Sequence, residues 1–171
     1  MRRLSTRAER RIATAPHDIW AYRLDFLHLP EYNPSVRGIE QLAQSGPDGS
    51  GAHYRFELID EDGSHPVDLR VIRSIPGQLV AIELGGTVPA EEEFTVSAEE
   101  PAGDGRGAAC LVGIALTLLV SDEIPTLADV QMLESGTRQI GDELKQMAQL
   151  LEAGTRTFPI PDRFRGRPDP T

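Results

Sequence analysis

The chain has one cysteine, Cys110, set in an apolar run, so no internal disulfide can form, and a buried thiol in a reducing compartment is expected. Lysine is almost absent. Lys145 is the only one, and arginine supplies the rest of the 17 basic residues. No apolar run is long enough to cross a bilayer, because the best of them, Ala108 to Val120, is interrupted by Gly113 and Thr117. The N-terminal MRRLSTRAERR carries charge without an apolar segment, so it does not read as a secretory signal, and a cytoplasmic protein is expected. The histidines His17, His28, His53 and His65 are scattered, without ligand spacing and without a nearby cysteine, which predicts no metal site. The glycines form no phosphate loop ahead of a helix, no serine sits in a nucleophile elbow, and Cys110 has no histidine in its local sequence. No cofactor is expected, and covalent catalysis is disfavoured.

What is present describes one globular domain. A chain of 171 residues, 39% hydrophobic and 26% charged, can bury a sizeable core unaided. Its net charge of -10 is uneven: the first eleven residues and the segment after Gly154 are basic, and the body between them is acidic. Nucleic acid would be repelled by that body. The division expected is a basic, frayed N-terminal arm over 1–7, a folded domain over 8–154, and a Pro/Arg-rich tail over 155–171. The partner expected is a small molecule, bound by a monomer or a homodimer.

Alternation from Ala8 to Ala15 predicts a first strand that stops at Pro16. Pro16 then opens a helix carrying Ile19, Trp20, Leu24 and Leu27, and a second short helix or turn follows through Glu31, Tyr32 and Asn33. From Val36 the pattern is a meander, with alternating apolar positions Tyr54/Phe56/Leu58, Val67/Leu69/Val71, Val80/Ile82/Leu84 and Phe94/Val96, then the long strand Ala108 to Val120. Short turns such as Asp62-Gly63 and Pro76-Gly77 make it antiparallel. A long helix closes the domain, with Thr126 and Asp129 as a capping box and Gly154 as its stop. Its apolar stripe is Val130, Leu133, Thr137, Ile140, Leu144, Met147 and Leu151, with Glu143 among the residues turned elsewhere.

The order strand, helix pair, six-strand meander and long amphipathic helix resembles the START-like superfamily, the polyketide cyclase/dehydrase and lipid-transport group. The run Ala15-Pro16, Ile19-Trp20, Asp25, Leu29-Pro30-Glu31-Tyr32-Asn33-Pro34 and Val36 is similar to that group's opening helix-pair motif. The resemblance spans residues 8 to about 154 and implies an α+β helix-grip fold: a curved seven-stranded antiparallel sheet wrapped around a long C-terminal helix, with two short helices after strand one. It also implies a cavity between helix and sheet, and is almost silent about the ligand.

Strand parity places Tyr54, Phe56, Leu69, Val71, Ile82 and Phe94 on the concave face, with Trp20, Leu24, Leu27 and Tyr32 as lids and Ile140 and Leu144 on the helix. Gly136 on that helix would leave space, or would equally allow close helix–sheet packing. Tyr32 and Tyr54 offer orienting hydroxyls, and the loops around Pro30 to Pro34 and Gly85-Gly86 would gate the cavity. The opposite parity would instead turn His53, Arg55, Glu57 and Arg70 inward. Glu91-Glu92-Glu93 reads as a charged hairpin end rather than a carboxylate pair, since carboxylates are almost never buried unpaired. The function expected is binding of a small hydrophobic ligand, lipid-like or polyketide-like. The alternatives are a polyketide aromatase/cyclase or dehydratase using a pocket tyrosine or histidine, and a protein-interaction module with a filled cavity.

Overall fold

The computed structural model describes residues 1–99 and 108–153. Strand β1 (Arg2–Ile12) is followed by helix α1 (Pro16–Leu24), a 3-10 turn (Phe26–His28) and helix α2 (Leu29–Tyr32). Strands β2 (Val36–Ala43), β3 (His53–Asp60), β4 (Gly63–Ile75), β5 (Leu79–Gly85), β6 (Ala90–Ala98) and β7 (Cys110–Val120) come next. Helix α3 (Asp129–Glu152), preceded by a 3-10 turn (Thr126–Ala128), ends the described part. The seven strands form one antiparallel sheet in the order β1-β7-β6-β5-β4-β3-β2, so the chain meanders from β2 to β7 and β1 closes on β7. This is the helix-grip architecture, with α3 lying across the concave face.

The alternating residues decide the faces. Tyr54 and Phe56 on β3, Val67, Leu69 and Val71 on β4, Val80 and Ile82 on β5, and Phe94 and Val96 on β6 are buried together with Ile140, Leu144 and Met147 of α3. His53, Arg55 and Asp68 instead form a polar cluster across the outer face, His53 Nε2 lying 2.9 Å and Arg55 Nη2 3.0 Å from Asp68 Oδ1. Arg55, Glu57 and Arg70 are exposed.

Four sequence expectations need correction here. β1 begins at Arg2, and its pairing with β7 runs from Arg2↔Val120 to Ile12↔Cys110, so residues 2–7 belong to the sheet and are not a frayed arm. Charge alone suggests fraying, but Arg2 and Arg3 find Asp129 and Glu91 as partners, and inward-leaning Leu4 and Thr6 complete the alternation. The capping box does not form: Thr126 lies in the 3-10 turn, neither helical start has a side-chain cap, and the Asp129 carboxylate binds Arg2 at 2.8 Å. The apolar stripe of α3 holds at Ile140, Leu144, Met147 and half-buried Leu151, but Val130 is 65% exposed and Thr137 is exposed, and Gly136, Glu143 and Ala148 are buried beside the stripe. Glu143, placed on the outer face by the sequence reading, is therefore inside. Gly154, the expected helix stop, and the tail 155–171 lie outside the described residues.

Candidate functional site: an apolar cavity with a charged inner wall

A cavity of about 260 Å³ opens between the concave sheet face and α3. Its walls are Phe56 and Leu58 from β3, Val67 and Leu69 from β4, Ile82 and Leu84 from β5, Ala90 from β6, and Leu116 and Leu118 from β7. The residues 85–88 of the β5–β6 turn and the pair Asp60 and His65 of the β3–β4 hairpin also line it, with His65 Nε2 3.2 Å from Asp60 Oδ1.

Arg23, Asn33, Glu92, Gln139 and Glu143 add polar groups to this apolar wall. Arg23, Asn33, Glu92 and Glu143 are buried, at 1%, 6%, 6% and 4% exposure. α1 packs against β6 and points Arg23 inward, where the guanidinium lies 5.0 Å from the Phe26 ring centroid and 5.4 Å from those of Tyr32 and Phe94. One Arg23 Nη donates to the Tyr32 hydroxyl at 2.6 Å and the other to Glu92 Oε1, while Nε has no partner among the described residues. Asn33, at the end of α2, does two jobs: Oδ1 accepts from the Ser35 N–H at 3.1 Å and Nδ2 donates to Glu143 Oε1 at 2.8 Å. Gln139, one helical turn before Glu143, donates to the same oxygen at 3.4 Å.

Burial, reinforced by the charge of Glu92, pushes the Glu143 carboxyl up to about 7, against the opposing pull of Arg23 and the hydrogen bonds from Gln139 and Asn33. Burial likewise raises the Tyr32 phenol above its ordinary value in spite of Arg23, so its hydroxyl stays neutral. The site thus places Glu143, a carboxyl able to exchange a proton near neutrality, beside a buried guanidinium–carboxylate pair.

The residues singled out from sequence divide sharply. Phe56, Leu69 and Ile82 line the cavity. Leu24, Tyr54, Val71, Phe94, Ile140 and Leu144 are buried in the packed core beside it and do not line it, and Trp20 packs half-buried against that core. Leu27 is 41% exposed and covers nothing here. Tyr32 acts through Arg23, whose guanidinium it holds. The Tyr54 hydroxyl is 3.3 Å from Gln41 Nε2, away from the cavity. Gly136 makes no space: a Cβ there would meet Leu116 Cδ2 at 3.2 Å and Thr6 Cγ2 at 3.6 Å, so the glycine lets α3 approach β1 and β7 closely. Of the expected gates, Gly85-Gly86 borders the cavity, and of the Pro30–Pro34 segment only Asn33 does.

The charged residues escape a sequence reading, though each leaves a trace. Glu92 shares the parity of Phe94 and Val96, Glu143 falls three after Ile140 and four before Met147, and Arg23 falls four after Ile19. Their charge argues for an outward assignment; their mutual pairing is what permits burial. Among the described residues no group of three His, Cys, Asp or Glu is placed to hold a metal, and no helix is long and apolar enough to cross a membrane.

A sheet gripping one long helix around a cavity defines the START-like class of proteins. The family model for polyketide cyclase/dehydrase and lipid transport matches residues 3–152, and the chain belongs to that family. Among solved structures it is similar to a START superfamily protein from Mycobacterium smegmatis, with 18% identity, TM-score 0.70, and 88% of this chain and 98% of that one covered. It is also similar to the protein TTHA0849 from Thermus thermophilus, at 16% identity and TM-score 0.68, covering 88% and 99% of the two chains. The Zhui aromatase/cyclase from Streptomyces sp. R1128 aligns at 13% identity and TM-score 0.73, covering 91% and 98%. At these identities the likeness concerns the fold. No curated protein matches the chain.

Proposed function

We propose that this protein binds a small, mostly apolar molecule in the cavity between sheet and α3, with the molecule's polar end against Arg23, Glu92 and Glu143. The observation that carries the reading is the contrast within one cavity. Its walls are leucine, isoleucine, valine and phenylalanine, which supply affinity by excluding water, whereas its polar groups are few and fixed by one another, which supplies orientation. Phe56, Leu69 and Ile82 are the contacts among the residues expected from sequence, and the β5–β6 turn is the entry. An open cavity argues against the interaction-module reading, which required a filled one. The buried Cys110 thiol, raised to about 11 chiefly by burial, suits a reducing, cytoplasmic setting.

A second reading is favoured by Glu143. An aromatase/cyclase or dehydratase needs a group that gives and takes a proton beside the substrate, and a carboxyl held near 7 is suited to that task at neutral pH. The family description includes cyclases and dehydrases as well as lipid transport, so both readings fall within it. In this version Glu143 replaces the tyrosine or histidine expected from sequence.

The test of binding uses the uncharged fluorophore N-phenyl-1-naphthylamine with the native protein and with Leu84→Trp, which fills the cavity from a half-buried wall position. Saturable binding that weakens at least about tenfold in the variant, with its unfolding midpoint retained, is the expected result. Equal binding by both proteins would remove the cavity as the site. Native mass spectrometry of the freshly purified protein would then identify any molecule carried along.

A further inference from the structure

The charges on the inner wall do not balance. Among the described residues lining the cavity, Arg23 is the only arginine or lysine, while Glu92 and Glu143 are both carboxylates and both buried. Arg23 is already committed, since its Nη atoms donate to Tyr32 and to Glu92. Its Nε–H has no partner among the described residues, but its charge is already matched by Glu92, so a ligand carboxylate would meet no unopposed cation there. Glu143, by contrast, receives both of its described hydrogen bonds, from Asn33 and Gln139, on Oε1, so Oε2 is left for a proton or for a ligand.

We propose that this inner wall is a charge filter: it holds the protonated amine of a hydrophobic ligand on Glu143 and rejects ligands that end in a carboxylate. The inference rests on the cavity being a ligand site and adds which head group that site takes. With Arg23 and Glu92 cancelling each other, an ammonium beside ionised Glu143 leaves the wall neutral. A neutral ligand leaves it neutral when Glu143 keeps its proton. A carboxylate leaves a net negative charge in a place with little water, whichever form Glu143 adopts, and so carries an unrepaid desolvation cost. Fatty acids are thereby disfavoured, although the walls suit their chains.

The pH dependence follows from the groups around Glu143. They are Arg23 from α1, Tyr32 and Asn33 from α2 and its end, Glu92 from β6, and Gln139 from its own helix, with Asp60 and His65 elsewhere on the cavity wall. Glu143 binds a proton in the mildly acid range and loses it through about 7, so affinity for an ammonium rises as pH rises through that value.

Three probes with one hydrophobic body separate the possibilities: 2-naphthylmethylamine, 2-naphthylmethanol and 2-naphthoic acid, titrated calorimetrically into the full chain. At about pH 8 the amine should bind at least about tenfold tighter than the acid, with the alcohol between them. Glu143→Gln should cut amine affinity at least about fivefold and leave the alcohol nearly unchanged. In the unmutated protein, and in His65→Gln, which removes the histidine of the cavity wall, amine affinity should rise between about pH 6 and 8 while alcohol affinity stays level or falls, which keeps the test independent of the folding of Glu143→Gln. Binding of the acid as tight as that of the amine, or an amine preference untouched by both Glu143→Gln and pH, overturns the charge filter while leaving the cavity as a binding site. Failure of all three probes to bind overturns the binding reading and the filter with it.

Discussion

The two ends of the concave face are built from the same strands and differ in what fills them. At one end Phe26, Tyr54 and Phe94 belong to one buried cluster with Val71, Val80, Leu144 and Met147, the Phe26 and Tyr54 rings lying 5.5 Å apart, and none of these side chains lines the cavity. At the other, Leu58, Leu84, Leu116 and Leu118 face one another across the cavity. Arg23 stands at the boundary, enclosed by the rings of Phe26, Tyr32 and Phe94 on one side and lining the cavity on the other. Parity makes a residue inward-facing, but the helix pair decides whether it meets another side chain or empty space. α1 lies against β6, and the 3-10 turn that follows it brings Phe26 against Tyr54.

Breaking the boundary should have the largest effect. Arg23→Met keeps much of the volume but leaves Glu92 and Glu143 as two buried carboxylates without their cation, and a loss of about 3–5 kcal/mol is expected from urea unfolding at neutral pH. Part of that loss should return in mild acid, where a carboxylate can be protonated. A loss below about 1 kcal/mol would mean that water reaches the pair and that the cavity's inner wall is wet.

The filled and open ends can be compared directly with one residue type. Leu144→Ala, at a position 1% exposed on α3, leaves a void among packed neighbours and should cost about 2–5 kcal/mol. Leu118→Ala, half-buried beside space that already exists, should cost about 1 kcal/mol and enlarge the cavity. Equal losses would show that the two ends are packed alike and that the space is closed in solution.

Much of this fold could be read before any coordinates. The alternation in β3 to β6 and the turns Asp62-Gly63 and Pro76-Gly77 assign strands and faces by local rules, because a half-buried strand must alternate. The edge was harder: Arg2 to Arg7 looks like a charged arm until Asp129, 127 residues away, is brought beside Arg2. The site was legible in its walls and hidden in its chemistry. Phe56, Leu69 and Ile82 announce themselves as apolar, but neither Tyr54 nor Phe94 differs from them in sequence, and only tertiary packing, such as that of Phe26 on Tyr54, separates core from cavity. Arg23, Glu92 and Glu143 come from three elements, and the pairing that makes their burial tolerable exists only once those elements meet.

That pairing also makes one end of the concave face sensitive to pH and leaves the other indifferent. Glu143 holds its proton up to about 7 in the fold, whereas in the unfolded chain it loses it near its ordinary 4.5. Between those values the folded state binds the extra proton, so stability falls as pH rises through this window and then levels off for this group. Glu143→Gln removes the titration while its amide oxygen can still accept from Asn33. The variant should match the unmutated protein's stability near the acid edge of the window and then gain on it, by up to about 3 kcal/mol above pH 7. Urea midpoints measured across that range give the difference directly. A constant difference would show that Glu143 is ionised throughout in the folded protein, held by Arg23 as firmly as Glu92 is. Leu144→Ala, which removes an apolar side chain and no titratable group, should shift every midpoint by about the same amount.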